Sequence, residues 1–302
     1  MIRALLAVAL TIPLGLDLYL PAPEDNPPTR ERIEAGRRLF RDRRLSSDRS
    51  LACSSCHDPS RAFSTPNATS VGVFDRQGRR NAPALINRGY GKLFFWDARV
   101  TTLEEQVLRP IQDPFEMDLS LTEASERVGM QVDDISRALA SYVRSILSGN
   151  APLDRFVNGD RRALSPQQQS GLDIFQGKGR CIACHVGPNF TDERVHNTGV
   201  AWSGGPGVAG RYLDDGHFVV SGRNEDRGRF KTPTLREVAR TSPYMHDGSK
   251  ATLEDVVNFY DEGGRPNPNL DIEIRPLRLS AVEKRALVSF LRSLSGRVRE
   301  GR

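Results

Sequence analysis

The chain of 302 residues is 38% apolar and 27% charged, with a formal charge of +5 from 43 basic and 38 acidic residues. This is the composition of a folded protein with room for about two domains, and it excludes a disordered or collagen-like chain. No basic run is long enough to suggest nucleic-acid binding; apart from Lys92, Lys178, Lys231, Lys250 and Lys284, its cationic side chains are arginines.

At the N-terminus, Arg3 precedes an apolar run from Ala4 to Leu16 that is broken by Pro13 and Gly15 and closed by Asp17. A membrane-spanning helix needs ~20 apolar residues, so the run is short for a span and fits the apolar region of a secretory signal. Residues 1–20 are therefore expected to direct export to the periplasm. No clean small-x-small cleavage site follows, which leaves an uncleaved membrane anchor as the alternative.

After prolines 21, 23, 27 and 28, Thr29 opens a helix with Ile33, Gly36 and Phe40 on one face. The motif Cys53-x-x-Cys56-His57 follows, and then a loop from Pro59 to Arg80. Ile135, Leu139, Tyr142 and Ile146 form a helical stripe that Gly149 is expected to close. Ser165, Pro166 and Gln168 form a capping box at the start of "SPQQQSGLDIFQGKGRCIACH", which ends in a second motif, Cys181-x-x-Cys184-His185.

The segments "AGRRLF…CSSCH" and "SGLDIF…CIACH" echo one another, which suggests a duplicated unit. Residues 195–230 read as Gly-rich loop. Thr252 with Asp255 caps a helix whose apolar face is Leu253, Val256, Val257 and Tyr260, ended by Gly263-Gly264. Ser280 with Glu283 caps the last, with Val282, Leu287, Phe290, Leu291 and Leu294 facing inward. The expected fold is mainly α, with two similar domains at 21–163 and 164–302, related by a pseudo-twofold and joined by long loops. The final helix has the option of packing back on the first domain.

Cysteines at i and i+3 with histidine at i+4 place all three side chains near one helical face. In that arrangement two thiols add to haem vinyl groups while the imidazole binds iron, and Cys-x-x-Cys-His is the signature of c-type haem attachment. A zinc site joining Cys53, Cys56, Cys181 and Cys184 would leave the histidine after each pair as coincidence. A redox dithiol expects a βαβ setting that is absent, and structural disulfides need no histidine. The reading is two covalent c-type haems with His57 and His185 as proximal ligands. For the opposite faces, His196, His217, His246, Met117, Met130 and Met245 remain, and spacing does not choose among them.

Five segments, in order, carry a family resemblance: "GRRLFRDRRLSSDRSLACSSCHDPSRAF", "GRRNAPALINRGYGKLFFWDAR", "LEEQVLRPIQDPFEM", "FKTPTLREVARTSPYMHDGSKATLEDVVNFYDEGG" and "EKRALVSFLRSL". With them the chain resembles the bacterial di-haem cytochrome c peroxidases and their MauG-type relatives. The resemblance implies two cytochrome c-like domains, the first with a peroxide-reacting haem and the second with an electron-relay haem. It also implies two departures from the conventional enzymes. Those carry a histidine in the loop before Asn-Ala-Pro; here the loop reads "TSVGVFDRQGRRNAP", Val73 stands at that place, and no histidine occurs between His57 and His185. The first haem is then open or water-bound, unless the other domain lends a histidine. At the position where conventional members supply methionine to the second haem, this chain has Tyr260, as MauG-type proteins do. By spacing alone Tyr260 reads as a core residue.

The resemblance further implies that Glu116 is the acid/base that moves a proton between peroxide oxygens, with Gln106 and Pro110 as its pocket neighbours. Trp96 is the aromatic link between haems, and Asn81 with the carbonyls of Thr241 and Pro243 forms a calcium site. His246 lies near the relay haem without ligating it. The expected activity is MauG-like: hydrogen peroxide is used at the first haem to oxidise a partner protein by long-range electron transfer. A conventional peroxidase fed by a small cytochrome or cupredoxin is the alternative, and a non-enzymatic di-haem carrier the third reading.

Overall fold

The computed structural model describes residues 10–205 and 208–301. Two separate cores organise it. In the first domain, helices α1 (Arg30–Leu39), α2 (Leu121–Val128) and α3 (Val132–Arg144) enclose Ile33, Phe40, Phe63, Ile111, Leu139 and Tyr142. In the second, α4 (Pro166–Gln176), α5 (Leu253–Asp261) and α6 (Ala281–Arg292) enclose Phe175, Val257, Leu287, Phe290 and Leu294.

The duplicated segment is one helix crossing built twice. α1 meets α3 at Gly36, where an added Cβ would lie 2.0 Å from the Ala138 carbonyl oxygen; α4 meets α6 at Gly171, where it would lie 2.1 Å from that of Ala286. Even one methyl group would have to push the backbones apart. One turn later Phe40 packs on Tyr142 and Phe175 on Phe290, each pair with ring centroids 5.1 Å apart. α1 and α4 are the helices that lead toward the two Cys-x-x-Cys-His turns. The capping boxes read at Ser165, Thr252 and Ser280 are present.

Strands are short among the described residues: β1 (Ile146–Gly149), β2 (Val195–His196), β3 (Phe230–Lys231) and β4 (Arg297–Glu300), paired antiparallel as β1–β4 and β2–β3. The helix expected to reach Gly149 therefore stops at Arg144. The Asn87 side chain takes both the N–H (2.8 Å) and the C=O (3.0 Å) of Ser148, and the Asn87 N–H donates to the Ile146 carbonyl at 3.0 Å. The backbone groups a helix would have used internally are thus satisfied by tertiary partners. The last helix packs on α4 within the second core, and the strand after it, β4, is the part that returns to the first domain.

Arg236 is a buried knot at the domain seam, donating to Asp154, to the Pro188 carbonyl and to the Gly15 carbonyl, each at 2.7 Å. Removing one partner of such a buried pair costs about 3–5 kcal/mol. The Leu14 carbonyl accepts from the Asn150 N–H at 2.8 Å and that of Asp17 from the Tyr90 hydroxyl at 2.7 Å, so residues 14–17 lie against the first domain, with Gly15 reaching Arg236 of the second. Residues 1–9 of the expected signal lie outside the described residues. No described helix is long and apolar enough to cross a membrane.

Candidate active site

Each Cys-x-x-Cys-His winds into a single helical turn. The His57 N–H donates to the Cys53 carbonyl at 3.0 Å, and the His185 N–H to that of Cys181 at 2.9 Å. His57 Nδ1 pairs with the Phe63 carbonyl at 3.2 Å, and His185 Nδ1 with that of Phe190 at 2.8 Å. A carbonyl partner makes Nδ1 the donor and leaves Nε2 as the basic, ligating nitrogen. Burial pushes His57 down to about 4 and His185 down as well, so both rings are neutral at ordinary pH. Burial also pushes the thiols of Cys53 and Cys181 up to about 12 and that of Cys56 to about 11. All four cysteines are free. Among the described residues, the one trio close enough to share a metal ion is Cys184, Asp192 and His196, so the four thiols do not converge on a zinc site.

One cavity of about 1330 Å³ has both motifs in its wall: Cys56 and His57 from the first, Cys181, Cys184 and His185 from the second. Ordinary ligand clefts enclose ~300–1,000 Å³, so this space suits something larger than one drug-sized molecule. Trp96 shares the wall. Its Nε1–H donates to the Asn81 carbonyl at 2.8 Å, and its own carbonyl accepts from the Lys231 N–H of β3 at 2.7 Å. Its ring meets His246 edge-on at 6.5 Å, and His246 in turn stacks on Phe230 at 3.7 Å. The aromatic group is thus assembled from both domains. Burial pushes His246 down to about 4, so this ring too is neutral.

Gln106, Pro110 and Glu116, with Val71, Gly72 and Met117, enclose a recess of about 60 Å³ against Cys56 and His57. Burial pushes the Glu116 carboxyl up to about 7; the charge of Asp113 adds to this and that of Arg99 opposes it. The sequence pointed to Val73 as the loop residue at this haem site. In the structure the loop residues on the wall are Ser70, Val71 and Gly72, whereas the Val73 side chain is wholly buried and its N–H donates to the Glu116 carbonyl at 2.8 Å. None of the three carries an imidazole, thioether or thiol.

Tyr260 lies in the last turn of α5, whose Leu253 and Val257 anchor it in the second core. Its ring is on the cavity wall with Cys181, Cys184 and His185. Burial raises its phenol well above the usual range, and the neighbouring thiols of Cys184 and Cys181 add to the effect. The stripe that made it look like core is real, but its end faces the cavity. Asn81, Thr241 and Pro243 line the same cavity, and Asn81 donates an amide N–H to the Asn67 carbonyl at 2.9 Å, leaving Oδ1 for another partner.

Two cationic groups were given no role by the sequence reading. His196 lies between Asp271 (2.6 Å) and Asp192 (2.9 Å); hydrogen bonding to Cys184, then to both carboxylates, pushes it up to about 10. Its i, i+4 spacing from Asp192 was the available signal. Arg180 lines the cavity with Nη2 paired to Glu273 and with its Nε buried and unpartnered. His217 serves the seam, with Nδ1 donating to the Asp97 carbonyl at 2.7 Å.

The di-haem cytochrome c peroxidase profile matches residues 30–133. Cytochrome-c peroxidase IdrP2 of Denitromonas iodatirespirans is 39% identical over 91% of this chain and 84% of its own length. The chain belongs to the di-haem cytochrome c peroxidase family. Methylamine utilization protein MauG of Methylorubrum extorquens is 35% identical over 91% of this chain and 81% of its own. The crystal structure of a MauG-like protein associated with microbial copper homeostasis superposes with a TM-score of 0.83 at 33% identity, covering 93% of this chain and 94% of that one. As a family member the chain is a haem enzyme with two haem cofactors, and its residues fit them. Cys56, both thiols of the second motif and the two imidazoles held by Nδ1 line one cavity with Arg180, whose Nη2 pairs with Glu273 and whose Nε has no partner; Cys53 opens on the smaller recess. An arginine fork suits a haem propionate.

Proposed function

We propose that this family member is an exported, MauG-like oxidoreductase that uses hydrogen peroxide at its first haem and oxidises a partner protein through its second. The observation that carries this reading is Tyr260, a phenol on the cavity wall beside Cys181, Cys184 and His185. His57 would hold the first iron, and His185 with Tyr260 the second, the cysteines forming the thioether links. When bound, the haems supply the redox chemistry. A phenolate ligand favours oxidised iron, whereas methionine raises the potential. That preference suits storage of oxidising equivalents for a slow, remote substrate.

The chain's own residues do the rest. Glu116 takes a proton from one peroxide oxygen and returns it to the other, Gln106 and Pro110 shape the recess, and Trp96 with His246 bridges the domains. A calcium ion on Asn81 Oδ1 and the Thr241 and Pro243 carbonyls would fix the Trp96 partner; water supplies the remainder of the ~6–8 oxygens calcium takes. Arg3 and the apolar run after it support export.

The conventional reading, peroxide reduction with electrons from a small cytochrome, is supported by relatives named cytochrome-c peroxidase. Stopped-flow mixing separates the two. The MauG-like reading expects the fully ferric protein to react with hydrogen peroxide as fast as the half-reduced protein. A reaction that appears only after one-electron reduction contradicts it.

A further inference from the structure

The loop of residues 71–76, which in this chain offers no ligand to the first haem site, is fastened to the turn that carries Glu116. The Val73 N–H donates to the Glu116 carbonyl at 2.8 Å, and Gly72 lies so close that an added Cβ would come within 2.1 Å of the Phe115 carbonyl oxygen. From the far end of the loop, Arg76 Nη1 donates to the Pro114 carbonyl and to Asp118 Oδ2, both at 2.7 Å. Arg76 thereby brackets Glu116 from two residues before to two residues after. Its guanidinium also covers the exposed Phe74 ring at 5.0 Å.

The backbone between these anchors is strained. Phe74 and Asp75 both have positive φ, 59° and 56°. Non-glycine residues hold that conformation only where the surroundings over-determine it. The anchors around them are the Val73 amide on one side and the Arg76 side chain on the other. Within the turn, the N–H groups of Glu116 and Asp118 both donate to the Asp113 carbonyl at 3.0 Å, so the carboxyl-bearing residue is fixed from inside and outside.

We propose that Arg76 is a positioning residue for the peroxide reaction, clamping the 71–76 loop onto the 113–118 turn so that Glu116 is held against the recess at Cys56 and His57. This deepens the proposed function and rests on its reading of Glu116 as the proton carrier. A loop clamped this way needs no rearrangement before peroxide enters.

The test uses the full-length, haem-loaded protein and its Arg76→Ala, Arg76→Lys and Glu116→Gln variants, with hydrogen peroxide as the probe. Losing a charge-assisted hydrogen bond is expected to slow the ferric protein's reaction about tenfold in Arg76→Ala. The pH midpoint of the rate should move, and amide exchange across residues 71–76 should accelerate. Arg76→Lys, which keeps one cationic donor, should recover most of all three effects, and Arg76→Ala should not slow Glu116→Gln further. If Glu116→Gln is slow but Arg76→Ala keeps the parent rate and midpoint, the clamp is overturned, whatever the exchange shows. If Glu116→Gln itself reacts at the parent rate, the proton-carrier reading fails and takes the clamp with it.

Discussion

Glu116→Gln is expected to slow the reaction of the ferric protein with hydrogen peroxide by about 10²–10⁴-fold, the usual worth of a positioned acid/base. The carboxyl must start ionised to accept the first proton, and its pKa is pushed from an ordinary 4.5 to about 7 by burial. The parent rate should therefore rise through pH 7 and level off above it, while the Gln variant stays flat. Stability runs the other way. A carboxyl whose pKa is higher in the folded than in the unfolded state stabilises the fold below the unfolded value, and that benefit is lost as pH rises through the folded one. Between pH 4.5 and 7 the cost grows to about 3 kcal/mol. Above pH 7 the Gln variant should thus melt at a higher temperature than the parent while reacting far more slowly. A variant that is slow and also less stable would point to a damaged fold.

Tyr260→Phe is expected to change the low-spin ferric signal while leaving the protein folded. The ring, and with it the end of α5, is retained, so the loss of one hydroxyl should cost no more than ~1 kcal/mol in thermal unfolding. Only the oxygen proposed to ligate the iron is removed. Tyr260→Met should raise the second haem's potential by a substantial part of the ~0.8 V over which axial ligands tune haem iron. Potentiometric titration reads the second variant and EPR the first. An unaltered spectrum in Tyr260→Phe would return Tyr260 to the core stripe that its spacing first suggested.

The architecture was largely legible because the local signals agreed with one another. The caps at Ser165, Thr252 and Ser280, the Gly–Phe echo before each haem motif and the apolar stripes all lead to the same two helical cores. What failed locally was decided by distant partners. Ile146 to Gly149 continued a helical stripe, yet Asn87 and β4 claimed its backbone, and neither is near it in sequence.

The candidate site divides the same way. The two haem motifs could be read from spacing because their chemistry is contained in five consecutive residues. Glu116, Trp96 and Tyr260 could not be read from spacing, since a lone carboxylate or an aromatic at a core position says nothing until the cavity is seen; the family resemblance supplied them. The buried side chain of Val73, and the wall formed instead by Ser70, Val71 and Gly72, go with a left-handed backbone at Phe74 and Asp75. Neither residue type predicts that conformation. His196 escaped because its second carboxylate, Asp271, arrives from a remote loop.

The central claim is that two chemically unequal haems act as one oxidising unit without prior reduction. EPR of the fully ferric protein, before and after one equivalent of hydrogen peroxide, tests it most directly. The account predicts one high-spin and one low-spin ferric signal at the start, with both lost on peroxide addition. Two low-spin signals that persist unchanged in the presence of peroxide would contradict it.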